Sequence, residues 1–215
     1  MKNNVKLILT DIGGVIYKSN GIRNAVANFL KEEEESKKVK KIVSLFYDSF
    51  NGRINEEEFW RQFSEITNHN IESSKKLIDY IEYKINYQYI NYLHQLSKKN
   101  IKIGIISDIN SIIYKIIRNN IKDFESIFDN AYIFLSYLEK DSKYLSGKKY
   151  FEEIIKKINM NPKDVIFIDD NLENIKNAEL NGLIGIKYGE TENEDTNNKK
   201  IIKQISEIVN RGSNE

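Results

Sequence analysis

The chain has 215 residues, of which 40% are hydrophobic, so it can bury the core of one domain that carries a sizeable insert. Its 33 basic residues nearly balance its 32 acidic residues, which argues against a dedicated nucleic-acid binder. The absence of cysteine excludes disulfides, thiolate metal sites and a cysteine nucleophile, and the presence of only two histidines argues against a histidine-built metal site.

The apolar runs of the chain are the length of strands, far below the roughly 20 residues that a membrane span needs. The N-terminus leads into a strand-like run and lacks the plan of a signal peptide. We therefore expect a cytoplasmic protein with no membrane partner.

Five short apolar runs predict β-strands, and they are nearly continuous in apolar residues rather than alternating. The predicted strands are residues 5–10, 101–107, 131–136, 165–169 and 183–187. Continuous runs of this kind are typical of parallel strands that are covered on both faces. Helical patterns separate the later strands, so the sequence predicts a doubly wound α/β fold with a parallel sheet.

The segment between the first two predicted strands interrupts this alternation, because its apolar spacing indicates helices only. Asn55 followed by Glu58 is typical of the start of one such helix. An insert after the first strand lies at the carboxyl edge of the sheet, where ligands bind in these folds. We expect residues 18–86 to form a helical cap on a core of residues 1–17 and 87–215, although a bundle that merely extends the core has the same pattern.

The first predicted strand ends in Asp11, and the glycines Gly13 and Gly14 follow it. This order exposes a carboxylate at the sheet edge, where glycines let the backbone approach a ligand. An ordinary turn has the same residues. The first strand end therefore favours a site only in combination with other strand ends.

The fourth predicted strand ends in two adjacent carboxylates, Asp169 and Asp170. Adjacent carboxylates repel each other, and a hard cation such as Mg²⁺ suits a cluster of oxygen ligands. One aspartate could instead cap the helix that follows, but a cap does not account for two.

A hydroxyl and several lysines complete the set of candidate residues. Ser107 ends the second predicted strand, where its hydroxyl could contact a phosphate oxygen or cap a helix. Four lysines that could supply a cation follow the third predicted strand, although any single lysine is more often a solvated surface residue. They are Lys140, Lys143, Lys148 and Lys149.

Taken together, these motifs resemble the haloacid dehalogenase-like hydrolase superfamily, most closely its phosphatase branch with a helical cap inserted after the first motif. Asp11 to Val15 resemble the first motif, and Ser107 falls at the strand-end hydroxyl of the second. Lys143, eight residues before Phe151, fits the lysine of the third motif best. Asp169 to Gly182 match the fourth motif in full.

The resemblance implies phosphoryl transfer through a covalent aspartyl-phosphate, with Asp11 as the nucleophile. It also implies that the Asp11 carboxylate, the Gly13 backbone carbonyl and Asp170 bind Mg²⁺, while Asp169 and Asn174 support the site. The substrate that the resemblance implies is a small phosphorylated metabolite, such as a sugar phosphate or a nucleotide.

The resemblance further implies that Ser107, Asp108 and Lys143 contact the phosphate of the substrate. The family often has asparagine at the position of Asp108. A carboxylate beside a bound phosphate is repulsive unless it points away.

Gly13 departs from the family pattern, because phosphatases of the family carry an acid–base aspartate there. General acid–base help is typically worth about 10²–10⁴ in rate. The sequence therefore favours a Mg²⁺-dependent phosphatase and leaves two alternatives open. One is a catalytically weak or inactive binding or regulatory protein with the same fold. The other is a 2-haloacid dehalogenase, which needs no metal and would leave the paired aspartates uncompensated.

Overall fold

The structure is a computed structural model that describes residues 5–211. Residues 1–4 and 212–215, which the predicted core boundaries include, lie outside the described residues. The strands of the described chain are β1 (Leu7–Thr10), β2 (Tyr17–Ser19), β3 (Tyr83–Ile85), β4 (Lys102–Ser107), β5 (Ile133–Leu135), β6 (Val165–Asp169) and β7 (Ile184–Lys187).

The helices are α1 (Ile22–Leu30), α2 (Lys37–Phe50), α3 (Glu56–Thr67), α4 (Ile71–Lys75), α5 (Tyr87–Ser97), α6 (Ser111–Asn120), α7 (Phe124–Ile127), α8 (Ser136–Glu139), α9 (Lys143–Ser146), α10 (Lys148–Ile158), α11 (Leu172–Leu180) and α12 (Glu194–Arg211). Three short 3₁₀-helices, Lys76–Tyr80, Asn130–Tyr132 and Pro162–Asp164, accompany them. No helix within residues 5–211 is long and apolar enough to cross a membrane.

Five parallel strands form the central sheet in the order β5-β4-β1-β6-β7. The doubly wound parallel α/β fold is therefore confirmed, and all five predicted strands are present with ends that differ by at most two residues. β1 lies in the middle, between β4 and β6. The carboxyl ends of these three strands consequently meet at one edge.

Apolar side chains cover both faces of the sheet. Along β1, Leu7 and Leu9 pack into one apolar cluster with α10 and α11, while Ile8 packs into a second cluster with α5, α6 and α12. This alternation follows from the two-residue repeat of a strand. Burial on both faces explains why the strands are nearly continuous in apolar residues.

The insert between β1 and β4 contains α1 to α4 and packs around aromatic side chains. The ring of Phe46 in α2 lies 4.6 Å from that of Phe59 in α3, and Phe59 lies 4.9 Å from Trp60. The start of α3 follows the sequence pattern, because the side-chain oxygen of Asn55 accepts a hydrogen bond of 2.8 Å from the backbone amide of Glu58.

The insert also contains two strands that the sequence did not predict. β2 and β3 pair antiparallel at the two ends of the insert, with Tyr17 opposite Ile85 and Ser19 opposite Tyr83. Three-residue strands are too short to give an alternating pattern that could be recognised. The chain therefore leaves and re-enters the core through a two-stranded ribbon.

The last helix begins earlier than its apolar pattern suggests. The polar run from Gly189 to Lys199 favours a loop before a helix near residues 201–209, but α12 already starts at Glu194. The Asn193 side chain accepts a hydrogen bond of 2.9 Å from the Thr196 amide. Asn198 is buried and accepts a hydrogen bond of 2.8 Å from Asn86, so tertiary hydrogen bonds keep this polar turn helical.

Candidate active site

The carboxyl edge of the sheet brings together side chains that are far apart in the sequence. Asp11 follows β1, Ser107 ends β4 and Asp169 ends β6, while Lys143 is the first residue of α9. All four are buried, with at most 8% of any of them exposed. The edge is therefore a cluster of charged and polar groups that is largely shielded from water.

Asp11 stands at the centre of this cluster. Its backbone amide donates to the Ile168 carbonyl at 2.8 Å, which extends β1 by one residue. One carboxylate oxygen, Oδ1, accepts a hydrogen bond of 2.7 Å from the amide of Ile12, and the other, Oδ2, lies 2.7 Å from Nζ of Lys143. Burial raises the pKa of Asp11 to about 6, although Lys143 and the Ser107 hydroxyl oppose this rise.

The Lys143 ammonium bridges two carboxylates, because its Nζ lies 2.7 Å from Asp11 and 2.6 Å from Asp169. It also donates to the Ile106 carbonyl at 3.3 Å. Burial works against its charge, but the aspartates around it raise the pKa of Lys143 above its usual value. The lysine is therefore a permanent buried cation beside Asp11. The other three candidate lysines, by contrast, are exposed; they are Lys140, Lys148 and Lys149.

Asp169 is fully buried, and both of its carboxylate oxygens have partners. Oδ1 accepts a hydrogen bond of 2.7 Å from the Asn171 amide. Oδ2 accepts from Lys143 at 2.6 Å and from the Asn174 side chain at 3.0 Å. The side chain of Asp169 is thus fixed in one orientation, and Asn174 contacts it from the first turn of α11.

Asp170 differs from its neighbour because its carboxylate has no lysine or arginine within 4 Å anywhere in residues 5–211. Burial and then the charge of Asp11 raise its pKa. Its carboxylate packs against Gly14, where a Cβ atom would stand only 1.9 Å from Oδ2. Ligand oxygens of Asp11, Asp169 and Asp170 lie within 4.8 Å of one another. The cluster can hold a hard cation, and such a cation would be the missing counter-ion of the Asp170 carboxylate.

The close approach of Gly14 to Asp170 gives a sharp prediction. A side chain at Gly14 must displace the Asp170 carboxylate, and its φ of +70° is also strained for any other residue. We expect Gly14→Ala to weaken Mg²⁺ binding by about 10- to 100-fold, measured by titration calorimetry. Gly189→Ala is the matched control, because Gly189 has a similar φ of +78° but a Cβ there meets nothing within 4 Å. Equal affinities in the two variants would contradict the placement of Asp170 at the cation.

The carboxylate of Asp108 points away from the strand ends, towards the start of α9. Its two oxygens accept hydrogen bonds from the backbone amides of Lys143 at 3.0 Å and Tyr144 at 3.1 Å. The side chain of Asp108 therefore holds the first turn of α9, and through it the backbone of Lys143. Burial raises the pKa of Asp108, and the charge of Lys143 opposes that rise.

This contact predicts a functional difference between aspartate and asparagine at position 108. Asn has one acceptor oxygen where Asp has two, so Asp108→Asn must lose one of the two amide bonds. We expect kcat/KM to fall by about 10- to 100-fold through misplacement of Lys143. Asp141→Asn is the control, because Asp141 accepts from Ser142 and Ser146 near the same helix without contacting Lys143. Equal losses in both variants would contradict a role in positioning Lys143.

Two buried tyrosines near the edge were not predicted from the sequence. Tyr17 in β2 and Tyr150 in α10 each have a buried hydroxyl without a hydrogen bond of normal geometry to any described residue. Burial raises the pKa of Tyr17 to about 12, with the neighbouring Ser19 opposing the shift. Nothing in the sequence separates these two from the other tyrosines, because only the tertiary fold buries their hydroxyls.

A cavity of about 470 Å³ opens beside the strand ends and is enclosed by both the core and the insert. From the core, Gly13, Ser107 and Asp108 line it. Phe50 at the end of α2 and Ile22 in α1 line it from the insert. The cavity falls within the usual size range of small-molecule sites and directly adjoins the charged cluster.

Comparisons with known proteins identify a matching family and several similar folds. The haloacid dehalogenase-like hydrolase model matches residues 5–182. A search of curated proteins finds no significant match. Among solved structures, a HAD family enzyme of Bacteroides thetaiotaomicron, bt-2542, has 22% identity and a TM-score of 0.74 over 90% of this chain and 98% of that chain.

Further solved structures have a similar fold. The same Bacteroides enzyme, in a complex with magnesium and inorganic phosphate, matches with a TM-score of 0.72 at 22% identity over 89% of this chain and 98% of that chain. A predicted HAD-like family hydrolase of Porphyromonas gingivalis has 20% identity and a TM-score of 0.72, over 93% of this chain and 98% of that chain. The L-2-haloacid dehalogenase RSc1362 is more distant, with 12% identity and a TM-score of 0.59, over 94% of this chain and 99% of that chain. At these identities the likeness concerns the fold alone.

Proposed function

The chain belongs to the haloacid dehalogenase-like hydrolase family, and from that membership we propose that it is a Mg²⁺-dependent phosphatase of small phosphomonoesters. One observation carries the proposal. The Asp11 carboxylate lies in contact with a buried ammonium and beside two further carboxylates, and the next two residues of the chain, Ile12 and Gly13, line a cavity. Phosphoryl transfer needs a nucleophile, a cation that binds the phosphate and a group of carboxylates that can hold a metal ion.

In the proposed reaction an oxygen of Asp11 attacks the phosphorus of the bound ester. The bond between phosphorus and the ester oxygen breaks, and the alkoxide leaves with a proton taken from the solvent. Water then attacks the phosphorus of the aspartyl-phosphate, which releases inorganic phosphate and restores the Asp11 carboxylate. Lys143 and Ser107 stabilise the charge on the phosphoryl oxygens.

The residues at the edge fit a magnesium ion. Asp11, Asp170 and the backbone carbonyl of Gly13 would hold it, and the fixed carboxylate of Asp169, oriented by Asn174, would support it. A bound Mg²⁺ would supply positive charge for the phosphoryl group. The complex of the Bacteroides enzyme with magnesium and inorganic phosphate supports this assignment.

Residues 18–86 would act as a cap over the site of a core formed by residues 1–17 and 87–215. The ribbon of β2 and β3 lies at the ends of this segment, and α1 and α2 line the cavity. Glu56 in α3 contacts the core through Ser111 at 2.8 Å and Lys115 at 2.7 Å. Opening of a cap would have to break these contacts.

The cluster favours a phosphatase over a haloacid dehalogenase, because the dehalogenase reaction needs no metal and would leave Asp170 without a counter-ion. The remaining alternative is a binding or regulatory protein without turnover, which Gly13 motivates. Hydrolysis of 4-nitrophenyl phosphate, measured with Mg²⁺ and with a chelator, tests the proposal. We expect turnover only with Mg²⁺. Absence of turnover despite Mg²⁺ binding would favour the non-catalytic alternative.

Gly13 gives this proposal a specific kinetic signature. With no side chain to protonate the leaving oxygen, turnover should be faster for aryl esters, whose leaving groups need little acid help, than for alkyl esters. Gly13→Asp should raise kcat on an alkyl ester such as 2-phenylethyl phosphate about 10- to 100-fold more than on 4-nitrophenyl phosphate. Space is available, because a Cβ at Gly13 meets no atom within 4 Å. An equal gain on both esters would mean that the new carboxylate does not act as the acid.

A further inference from the structure

The walls of the cavity beside Asp11 are apolar on both sides. From the core, Ile12, Ile109 and Ile113 line it, and from the insert Ile22 and Phe50 do so. Ile22 and Phe50 are only partly buried, so a ligand that covers them removes apolar surface from water. The part of a substrate that lies beyond its phosphate therefore meets a hydrophobic surface.

Few polar groups face the same space. No Asn, Gln, Glu or His among residues 5–211 lines the cavity. The carboxylate of Asp108 is occupied by two backbone amides, and the Lys18 ammonium lies 3.7 Å from Glu194. The remaining polar side chains away from the phosphate end are Ser19, which is exposed, and Tyr17, whose buried hydroxyl has no hydrogen bond of normal geometry.

This lining discriminates between leaving groups. A sugar carries several hydroxyls, and each hydroxyl that loses water without gaining a partner weakens binding. An aromatic or aliphatic group loses no hydrogen bonds there and gains contact with Phe50 and Ile22. One polar group on such a ligand could pair with the Tyr17 hydroxyl, which has no hydrogen bond of normal geometry within residues 5–211.

We propose that the substrates of this site are phosphate monoesters of largely apolar alcohols, such as aryl-substituted or aliphatic alcohols with at most one polar group, rather than sugar phosphates. This inference rests on the proposed phosphatase function and narrows its substrate class. It replaces the sugar phosphate or nucleotide that the sequence resemblance implies with an ester whose alcohol is hydrophobic.

The test compares 2-phenylethyl phosphate with glucose 6-phosphate in the Mg²⁺-loaded protein. Both release a primary alcohol, so the missing acid at Gly13 affects them similarly. We expect kcat/KM for 2-phenylethyl phosphate to be more than tenfold higher. Hydrolysis of both esters with equal or reversed efficiency would overturn the substrate class while leaving the phosphatase function intact.

Two variants locate the preference in the cavity. Phe50→Asn replaces an apolar wall with a polar one and is expected to lower the ratio of the two kcat/KM values at least fivefold, mainly through the KM of the phenylethyl ester. Tyr47→Asn is the control, because Tyr47 is an exposed aromatic of the same helix that does not line the cavity. An unchanged ratio in Phe50→Asn would contradict the inference.

A binding experiment keeps the inference separate from catalysis. In Asp11→Asn neither ester should be cleaved, so calorimetry in Mg²⁺ can measure the affinity of each ester directly. Tighter binding of 2-phenylethyl phosphate, by more than tenfold, would support the apolar class even if the parent protein hydrolysed nothing. Equal or weaker binding would overturn it.

Discussion

Replacing Asp11 with asparagine is expected to abolish phosphate-ester hydrolysis, with a loss of about 10⁴-fold or more in kcat. The carboxamide has nearly the shape of the carboxylate, but its oxygen is a poor nucleophile and cannot form the aspartyl-phosphate. The measurement is 4-nitrophenyl phosphate turnover at saturating Mg²⁺. Residual activity within tenfold of the parent protein would show that another group attacks the phosphorus.

Thermal melting of the metal-free variant would distinguish such a loss from misfolding. Burial raises the pKa of Asp11 from 3.8 to about 6 in the metal-free protein, so its charge destabilises the folded state at higher pH. Metal-free Asp11→Asn should therefore melt at a higher temperature than the metal-free parent at pH 8. The difference should shrink as the pH falls from about 6 to about 4, because the parent carboxyl then binds a proton in the folded state. A variant that melts lower than its parent at pH 8 would contradict this reading.

Replacing Lys143 with methionine is expected to produce the second large effect, on both stability and activity. Methionine fills a similar volume but leaves Asp11 and Asp169 facing each other without the ammonium that lies 2.7 and 2.6 Å from them. Removing one partner from a buried ionic cluster typically costs about 3–5 kcal/mol. We expect a loss of that order in the free energy of unfolding in the presence of a chelator, and a fall of at least 10²-fold in kcat/KM.

Lys149→Met is the matched control for this variant, because Lys149 is an exposed lysine six residues further along the chain. Its unfolding free energy and kcat/KM should both stay close to those of the parent. If Lys143→Met behaves like Lys149→Met in both measurements, Lys143 contributes to neither stability nor catalysis, and another lysine binds the phosphate. Adding Mg²⁺ should restore part of the stability of Lys143→Met, because the ion would offset the same carboxylates.

The sequence was sufficient to predict the sheet, because strands buried on both faces must be apolar throughout. Leu7 to Thr10 and Val165 to Ile168 are such runs, and the carboxylates that follow them meet because neighbouring parallel strands end at one edge. Among the four candidate lysines, the resemblance to the third motif of the family favoured Lys143, which contacts Asp11 and Asp169.

Side-chain contacts between distant elements could not be predicted in this way. Asp108 looked like a repulsive neighbour of a phosphate, whereas its oxygens bind amides 35 and 36 residues further along the chain. Asn198 looked like part of a loop, whereas it is buried against Asn86. These polar residues take their conformation from tertiary hydrogen bonds, which leave no periodic pattern in the sequence.

The central position of β1 has a consequence for how the protein is made. Its neighbours β4 and β6 begin at residues 102 and 165, so a growing chain exposes both edges of β1 long before either partner leaves the ribosome. At translation speeds of roughly 5–20 residues per second, the wait for β6 lasts about 8–30 seconds. Unpaired apolar strands are prone to aggregate during such an interval. A nascent chain that stops before residue 165 carries Asp11 but neither Asp169 nor Asp170, so it lacks two of the three carboxylates of the cluster.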